Sequence, residues 1–331
     1  MVITKTPFRM SFFGGGTDIE DYFRENEGAV LSTTFDKYCY VTVRYLPGFF
    51  DYSTELSYSR IERVADTEDI QHPAIRNAMK MMNMHKIRLT YEADLPARSG
   101  LGTSSSFAVG MLNAFHALRG NTGIDKKKLA DEAIFLEREL CREAGGWQDQ
   151  IAAAYGGFNR VDFNRDGYKV TPIAFSLERK KKLNENLLMF FTGFSRLSSD
   201  VQRSNHVTDK KNHDVLRRMY GLVEQAEKVL TDESRDLDEF GYLLDTTWKM
   251  KKRTGRAIST DCIDCLYQKG MDAGAYGGKL LGAGNGGFLI FYVPPQNQQR
   301  VKEVLKELMY IPFKFEGNGS RVIYNSSKTE D

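Results

Sequence analysis

The stretch Pro96-Ala97-Arg98-Ser99-Gly100-Leu101-Gly102-Thr103-Ser104-Ser105-Ser106 constrains this chain most, because it runs directly into an apolar-patterned segment carrying Phe107, Met111, Leu112, Phe115 and Leu118. Gly100 and Gly102 can adopt positive φ and expose their N–H groups. The helix predicted to follow points its unpaired donors and the positive end of its dipole at the same loop. An anion, above all a phosphate, is stabilised at such a junction. The same residue types also make an ordinary turn with an N-cap. No Gly-Lys-Ser/Thr closes the loop, so it offers no lysine of its own to β- and γ-phosphates. Ser105 stands where a dinucleotide fingerprint would need its third glycine.

A phosphate-binding loop needs a packed scaffold, and 331 residues, 41% hydrophobic and 27% charged, are enough for two globular domains. The formal net charge of +2 gives no global field for a nucleic acid or a membrane surface. No run of about 18 apolar residues could span a bilayer. Residues 1–10 lack the basic and apolar segments of a signal peptide, so the protein is expected in the cytoplasm. Cys262 and Cys265 have Cys-x-x-Cys spacing, but Cys39 and Cys141 lie far off and no second pair completes a zinc site. Reduced, partly buried thiols are expected, and the basic run 179–182 reads as solvated surface.

Alternating and β-branched runs predict strands at 8–13, 29–46 (as two strands), 87–92, 157–163 and 170–175. Helices are predicted around 21–25 and at 73–82, 104–118, 126–142 and 147–155. The Lys-rich stretch 177–186 reads as a boundary. Beyond it come a strand at 187–192, a charged helical region from 199 to about 252, a glycine-rich segment at 277–287 and a strand at 288–293. A helix opened by Pro294 and Pro295 and short strands near 311–315 and 321–324 end the chain. Strands and helices mix in both halves, which predicts an α+β protein of two domains, 1–182 and 183–331, with a ligand cleft between them.

Three further places carry candidate chemistry. Glu137 follows Ile134, Phe135 and Leu136, so its turn is expected to be partly buried, and a buried carboxylate needs a cation. Should that cation be Mg2+, one carboxylate and one hydroxyl from the protein suffice, since Mg2+ keeps its waters and takes nucleotide oxygens; Ser104 is the candidate hydroxyl. Asp149 is then available as a general base, although an aspartate in such a place is also a common helix cap. In Arg9-Met10-Ser11-Phe12-Phe13-Gly14-Gly15-Gly16-Thr17-Asp18, a strand bearing one arginine meets three glycines and an acid. Arg9 offers a cation beside an attacking hydroxyl, Asp18 a carboxylate for sugar hydroxyls, and Gly15 and Gly16 an open backbone. A surface arginine and a plain glycine turn is the alternative. In the third segment, Gly282, Ala283, Gly284, Asn285 and Gly286 permit close approach of backbone to a ligand.

Together and in this order, these segments resemble the GHMP kinases, the superfamily of galactokinase, homoserine kinase, mevalonate kinase and phosphomevalonate kinase. The resemblance spans nearly the whole chain, and the phrases around Arg9, Gly100, Gln148 and Gly282 are similar to those of kinases of D-glycero-D-manno-heptose 7-phosphate. It implies the two-domain GHMP kinase fold, with an N-terminal domain like ribosomal protein S5 domain 2 and a ferredoxin-like C-terminal domain. ATP and Mg2+ are the implied cofactors. ATP would lie against Pro96, Arg98, Ser99, Gly100, Leu101, Gly102, Thr103, Ser104 and Ser105; the resemblance does not fix the adenine contacts, for which residues 58–73 are a candidate segment. Ser104 and Glu137 match the magnesium ligands and Asp149 the catalytic aspartate, twelve residues beyond Glu137. Arg9 matches the cation beside the nucleophile, and Asp18 the sugar-binding acid.

Galactokinase-like enzymes have Gly-Glu-His-Thr-Asp where this chain has Gly14-Gly15-Gly16-Thr17-Asp18, which argues against galactose. The implied reaction is transfer of the ATP γ-phosphoryl group to the C1 hydroxyl of a sugar phosphate, as a small-molecule kinase with no nucleic-acid or membrane partner. Arg196, ahead of a predicted helix, is the candidate anchor for the substrate's own phosphate, with surface solvation as the alternative. A hexose or deoxysugar kinase, or a non-catalytic binder of the same fold, are the rival readings. An oligomer is possible but not implied.

Overall fold

The computed structural model describes residues 1–97, 99–193, 207–255 and 258–326. Its first sheet is organised by two long neighbours, β1 (Val2–Phe13) and β2 (Gly28–Tyr45), which pair antiparallel along most of their length. The expected pair of strands at 29–46 is one strand with a local irregularity: Pro7 opposes Tyr38 but Phe8 opposes Phe35. That slip falls where the partner on β2's other edge changes. Its first half pairs with β6 (Phe158–Asn164) and its second with β5 (Ile87–Ala93). The Asp36 carboxylate and N–H both bond the backbone of Lys314, which ties the slip to the C-terminal segment.

The remaining strands of this nine-stranded sheet are β3 (Thr54–Ser57), β4 (Ile61–Val64), β7 (Gly167–Pro172), β12 (Phe315–Glu316) and β13 (Arg321–Asn325). Residues 315–325 therefore return to the first sheet, β13 beside β1 and β12 beside β2. A second, antiparallel sheet has the order β11 (Met309–Tyr310), β8 (Leu187–Phe191), β10 (Phe288–Tyr292), β9 (Gly277–Leu280).

Helices cover both faces of the first sheet. On one side, α2 (Pro73–Met81), α3 (Thr103–Leu118), α4 (Lys126–Ile134) and α5 (Gln148–Tyr155) bury Met79, Met111, Phe115, Leu129 and Ile151 against Val41, Val43 and Leu89. On the other, α7 (His213–Thr231) and α8 (Glu239–Lys252) pack with the second sheet against Phe8, Met10, Phe12 and Phe13. Phe240 closes this junction, edge-on to Phe12 at 5.3 Å and to Phe13 at 5.1 Å. The carboxyl end of β1 is thus buried on both faces, and a polar side chain there must find a partner inside the protein.

Several expectations are corrected. Residues 177–186 form helix α6 (Leu177–Asn186), and Arg179 in the basic run is buried, donating to the carbonyls of Val229 and Arg235. Helix α9 (Asp261–Asp272) carries Cys262 and Cys265 exposed rather than partly buried, while Cys39 is buried. Burial drives the Cys39 thiol far above its ordinary pKa. The helix expected at 126–142 ends at Ile134, and residues Phe135–Leu140 widen into a π turn. No helix among the described residues is long and apolar enough to cross a membrane.

Candidate active site

Arg9, on β1, is 5% exposed and uses three donors. Nε and Nη2 grip the two carboxylate oxygens of Asp149 at 2.8 and 2.9 Å, and Nη1 donates to Gly100 O at 2.7 Å. The planar guanidinium suits this fork in a way a lysine could not. Asp149 sits in the first turn of α5, where the helix dipole favours an anion. Its side chain keeps a quarter of its surface open, so the carboxylate can still meet a ligand.

Asp18 lies beside this pair and is 2% exposed. Gly16 N–H donates to one oxygen at 2.9 Å and Gln148 Nε2 to the other at 2.9 Å. Burial, together with the neighbouring charge of Asp149, raises the Asp18 carboxyl above its ordinary pKa, although these donors oppose the shift. The carboxylate rests on Gly146, where an added Cβ would fall 1.9 Å from Oδ2. A Cβ on Gly15 would meet Ser11 Oγ at 3.7 Å and Gln148 Nε2 at 3.8 Å, ordinary contacts.

The glycine loop borders the same pair. Gly102 is left-handed, with φ of 70°, and caps α3; a Cβ on it would stand 3.4 Å from Asp149 Oδ2. Ser99 turns its hydroxyl back to Pro96 O, and Leu101 is a core residue whose carbonyl accepts from Arg9 N–H, so these two offer a ligand backbone rather than side chains. Ser104 and Ser105, in the first turn of α3, donate to the two oxygens of Glu137 at 2.9 and 2.6 Å, and Gln150 Nε2 adds a further contact. The π turn is what swings Glu137 inward to 1% exposure while leaving Phe135 and Leu140 at the surface. Such turns recur at functional sites. Gln150 follows Asp149 on α5, so one helix turn links both carboxylates.

The donor set suits a hard cation. Ser104 Oγ and Glu137 Oε1 are 2.9 Å apart, close to the roughly 3.0 Å edge of an octahedron with bonds of about 2.1 Å, as Mg2+ demands.

The third loop completes the enclosure. Gly282 stacks on the Gly100 backbone so closely that a Cβ would fall 2.2 Å from Gly100 Cα, and Gly287 abuts Ser99 O. Ala283 lies between Gly282 and Gly284, and Gly286 has φ of 138°. Asn285 occupies a left-handed conformation with φ of 65°, which asparagine tolerates, and donates its N–H to Ile258 O. Thr103 is buried behind the loop. Arg98 and Arg196 lie outside the described residues.

Two lysines here escaped the reading of the sequence. Lys279 on β9 is 3% exposed and donates to the carbonyls of Ser11 and Phe12 at 2.9 and 2.8 Å. Desolvation, with Lys251 and Arg9 nearby, holds its ammonium well below the ordinary lysine pKa. Lys251, in the last turn of α8, donates to Gly282 O. The available signal was periodicity: Phe240, Leu244 and Trp248 are an apolar stripe whose next turn is Lys251. A separate concavity of about 450 Å³, lined by Asn113, Lys126 and Arg321 among others, shares no residue with this constellation.

Comparison with known proteins identifies the family. Residues 70–157 match the model of the GHMP kinases N terminal domain and 222–311 that of the GHMP kinases C terminal domain. The chain is 31% identical over 325 residues to D-glycero-alpha-D-manno-heptose 7-phosphate kinase of Campylobacter jejuni, covering 93% of this chain and 94% of that one. It is 28% identical to the galactokinase of Pyrococcus furiosus over 65% of this chain and 67% of that protein. Among solved structures, a D-glycero-D-manno-heptose 1-phosphate kinase from Bacteroides thetaiotaomicron superimposes with a TM-score of 0.80 at 24% identity, covering 98% of this chain and all of that one. Lactococcus lactis galactokinase, 15% identical, gives 0.72 over 96% and 94%. The chain belongs to the GHMP kinases, has their fold, and is a sugar kinase of that ATP-dependent family.

Proposed function

We propose that this kinase transfers the γ-phosphoryl group of ATP to the C1 hydroxyl of D-glycero-D-manno-heptose 7-phosphate, giving the 1,7-bisphosphate for nucleotide-activated heptose synthesis. The observation that carries the reading is the Arg9–Asp149 fork standing against Gly102 at the head of α3, because it sets a proton acceptor beside a phosphate-binding loop. The acceptor hydroxyl gives its proton to Asp149 as its oxygen bonds to phosphorus and ADP leaves. Arg9 holds that carboxylate in place and offsets charge on the developing alkoxide. Asp18 and the Gly15–Gly16 backbone orient the sugar. The loop from Pro96 to Ser105, Arg98 included, holds the triphosphate by its N–H groups. Ser104 and Glu137 hold Mg2+, which neutralises phosphate charge when bound.

Similarity to the heptose 7-phosphate kinase supports the substrate, and so does the missing Glu-His of galactokinase-like chains. We assign the 7-phosphate to Arg196. Arg196→Ala should raise KM for the sugar phosphate at least tenfold and leave KM for ATP unchanged; equal effects on both remove the assignment. In the same reading, residues 1–182 form the N-terminal ATP-binding domain and 183–331 the C-terminal domain, and the protein works in the cytoplasm. A panel of heptose 7-phosphate, free heptose, galactose, fucose and mevalonate tests the substrate. The highest kcat/KM should belong to heptose 7-phosphate, and preference for an unphosphorylated sugar would transfer the assignment to another sugar kinase of the family.

A further inference from the structure

We propose that Lys251 is a phosphate-directed cation of this active site, contacting the phosphoryl group as it passes from the loop at the head of α3 to the hydroxyl beside Asp149. The inference rests on the kinase reading above and names a residue that reading did not use. The glycine loop has no lysine of its own, and the fold supplies one from a helix some 150 residues further on. On α8 the residues Phe240, Leu244, Thr247 and Trp248 are fully buried, and Lys251, seven positions after Leu244, lies on the same face and is half-buried. Its ammonium donates to Gly282 O. Gly282 stacks on Gly100, and Gly100 O accepts from Arg9 Nη1 at 2.7 Å. Lys251, Gly282, Gly100, Arg9 and Asp149 are thus consecutive contacts.

The charges around Lys251 leave a place for an anion. Among the described residues it forms no ion pair; Arg9 and Lys279 repel it, and of the carboxylates Asp18 acts on it most. Desolvation first, and then Arg9, bring its pKa down to about 8, while Asp18 opposes them. A phosphoryl group beside it supplies the missing negative charge and draws a proton onto it.

Steady-state kinetics of the full-length enzyme with ATP and heptose 7-phosphate across pH, for wild type, Lys251→Met, Lys251→Arg and, as a control on the exposed side of α8, Lys249→Met, test the proposal. We expect Lys251→Met to lower kcat about 10²-fold, Lys251→Arg to retain at least tenfold more, and Lys249→Met to match wild type. The wild-type kcat/KM should fall above about pH 8 as the free enzyme loses the Lys251 proton, a limb that Lys251→Arg moves to higher pH. A kcat for Lys251→Met within twofold of wild type overturns the proposal, as does a raised KM for the sugar phosphate at unchanged kcat, or an unmoved limb in Lys251→Arg. If Lys251→Met does not fold, Lys251→Arg and the pH limb decide. Wild type without sugar-dependent ADP formation overturns the kinase reading itself; an active wild type with an unaffected Lys251→Met overturns this inference alone.

Discussion

Removing the Arg9–Asp149 fork one partner at a time and then together measures how far the site is a single unit. Arg9 makes two charge-assisted bonds to Asp149, at 2.8 and 2.9 Å, with the side chains 6% and 25% exposed. Such bonds contribute about 1.5–3 kcal/mol each where desolvated, and the open quarter of Asp149 reduces the pair to about 2–4 kcal/mol. Arg9→Met should therefore cost about 3–5 kcal/mol of stability, because it strands a carboxylate and also leaves Gly100 O without its donor. Asp149→Asn keeps the shape and should cost less. In a cycle of Arg9→Met, Asp149→Asn and the double variant, urea unfolding should give a coupling of about 2 kcal/mol or more. In kinetics, Asp149→Asn should lose roughly 10²- to 10⁴-fold in kcat, and adding Arg9→Met should cost far less than it does alone. Stability effects that add to within about 0.5 kcal/mol, or near-normal turnover of a folded Asp149→Asn, would refute the reasoning.

Three further predictions follow from buried groups. Glu137→Gln should raise the Mg2+ concentration for half-maximal rate by tenfold or more with little change in KM for the sugar phosphate, read by titrating Mg2+ at fixed ATP; an unchanged requirement excludes Glu137 as a ligand. Lys279 has a folded-state pKa below its unfolded value, so between those two values the unfolded chain binds more protons and stability rises with pH. Unfolding free energy of wild type minus that of Lys279→Met should therefore increase as the pH rises toward the unfolded lysine value of about 10.4, and a flat or falling difference would contradict it. Phe240→Ala removes a fully buried ring packed on Phe12 and Phe13 and should cost about 3–5 kcal/mol, seen as a lower denaturation midpoint at constant slope.

What could be read from residues alone was local. The glycine loop, the helix it opens and the strand bearing Arg9 follow from turn chemistry and short periodicities, and in the structure Arg9, Gly102 and Asp149 touch. The misses are decided by tertiary context. The single strand β2 reads as two because the slip near Asp36 interrupts its alternation, while β1 pairs on both sides of the slip and Lys314 ties it down. Arg179 looked like surface because its neighbours are lysines; two carbonyls brought from helix α7 and the turn after it bury it. The π turn at Glu137 has no propensity signature, since one inserted residue is paid for by the hydrogen bonds of its carboxylate. Lys251 was masked by the default that a lysine near a helix end faces water.

Phosphorus NMR of a mixture of the enzyme, ATP, Mg2+ and D-glycero-D-manno-heptose 7-phosphate locates the transferred phosphate. Transfer to C1 gives one new phosphomonoester resonance, split by the anomeric proton, growing in step with ADP. A phosphate appearing on any other carbon, or ATP consumed equally fast with the sugar left out, would contradict it.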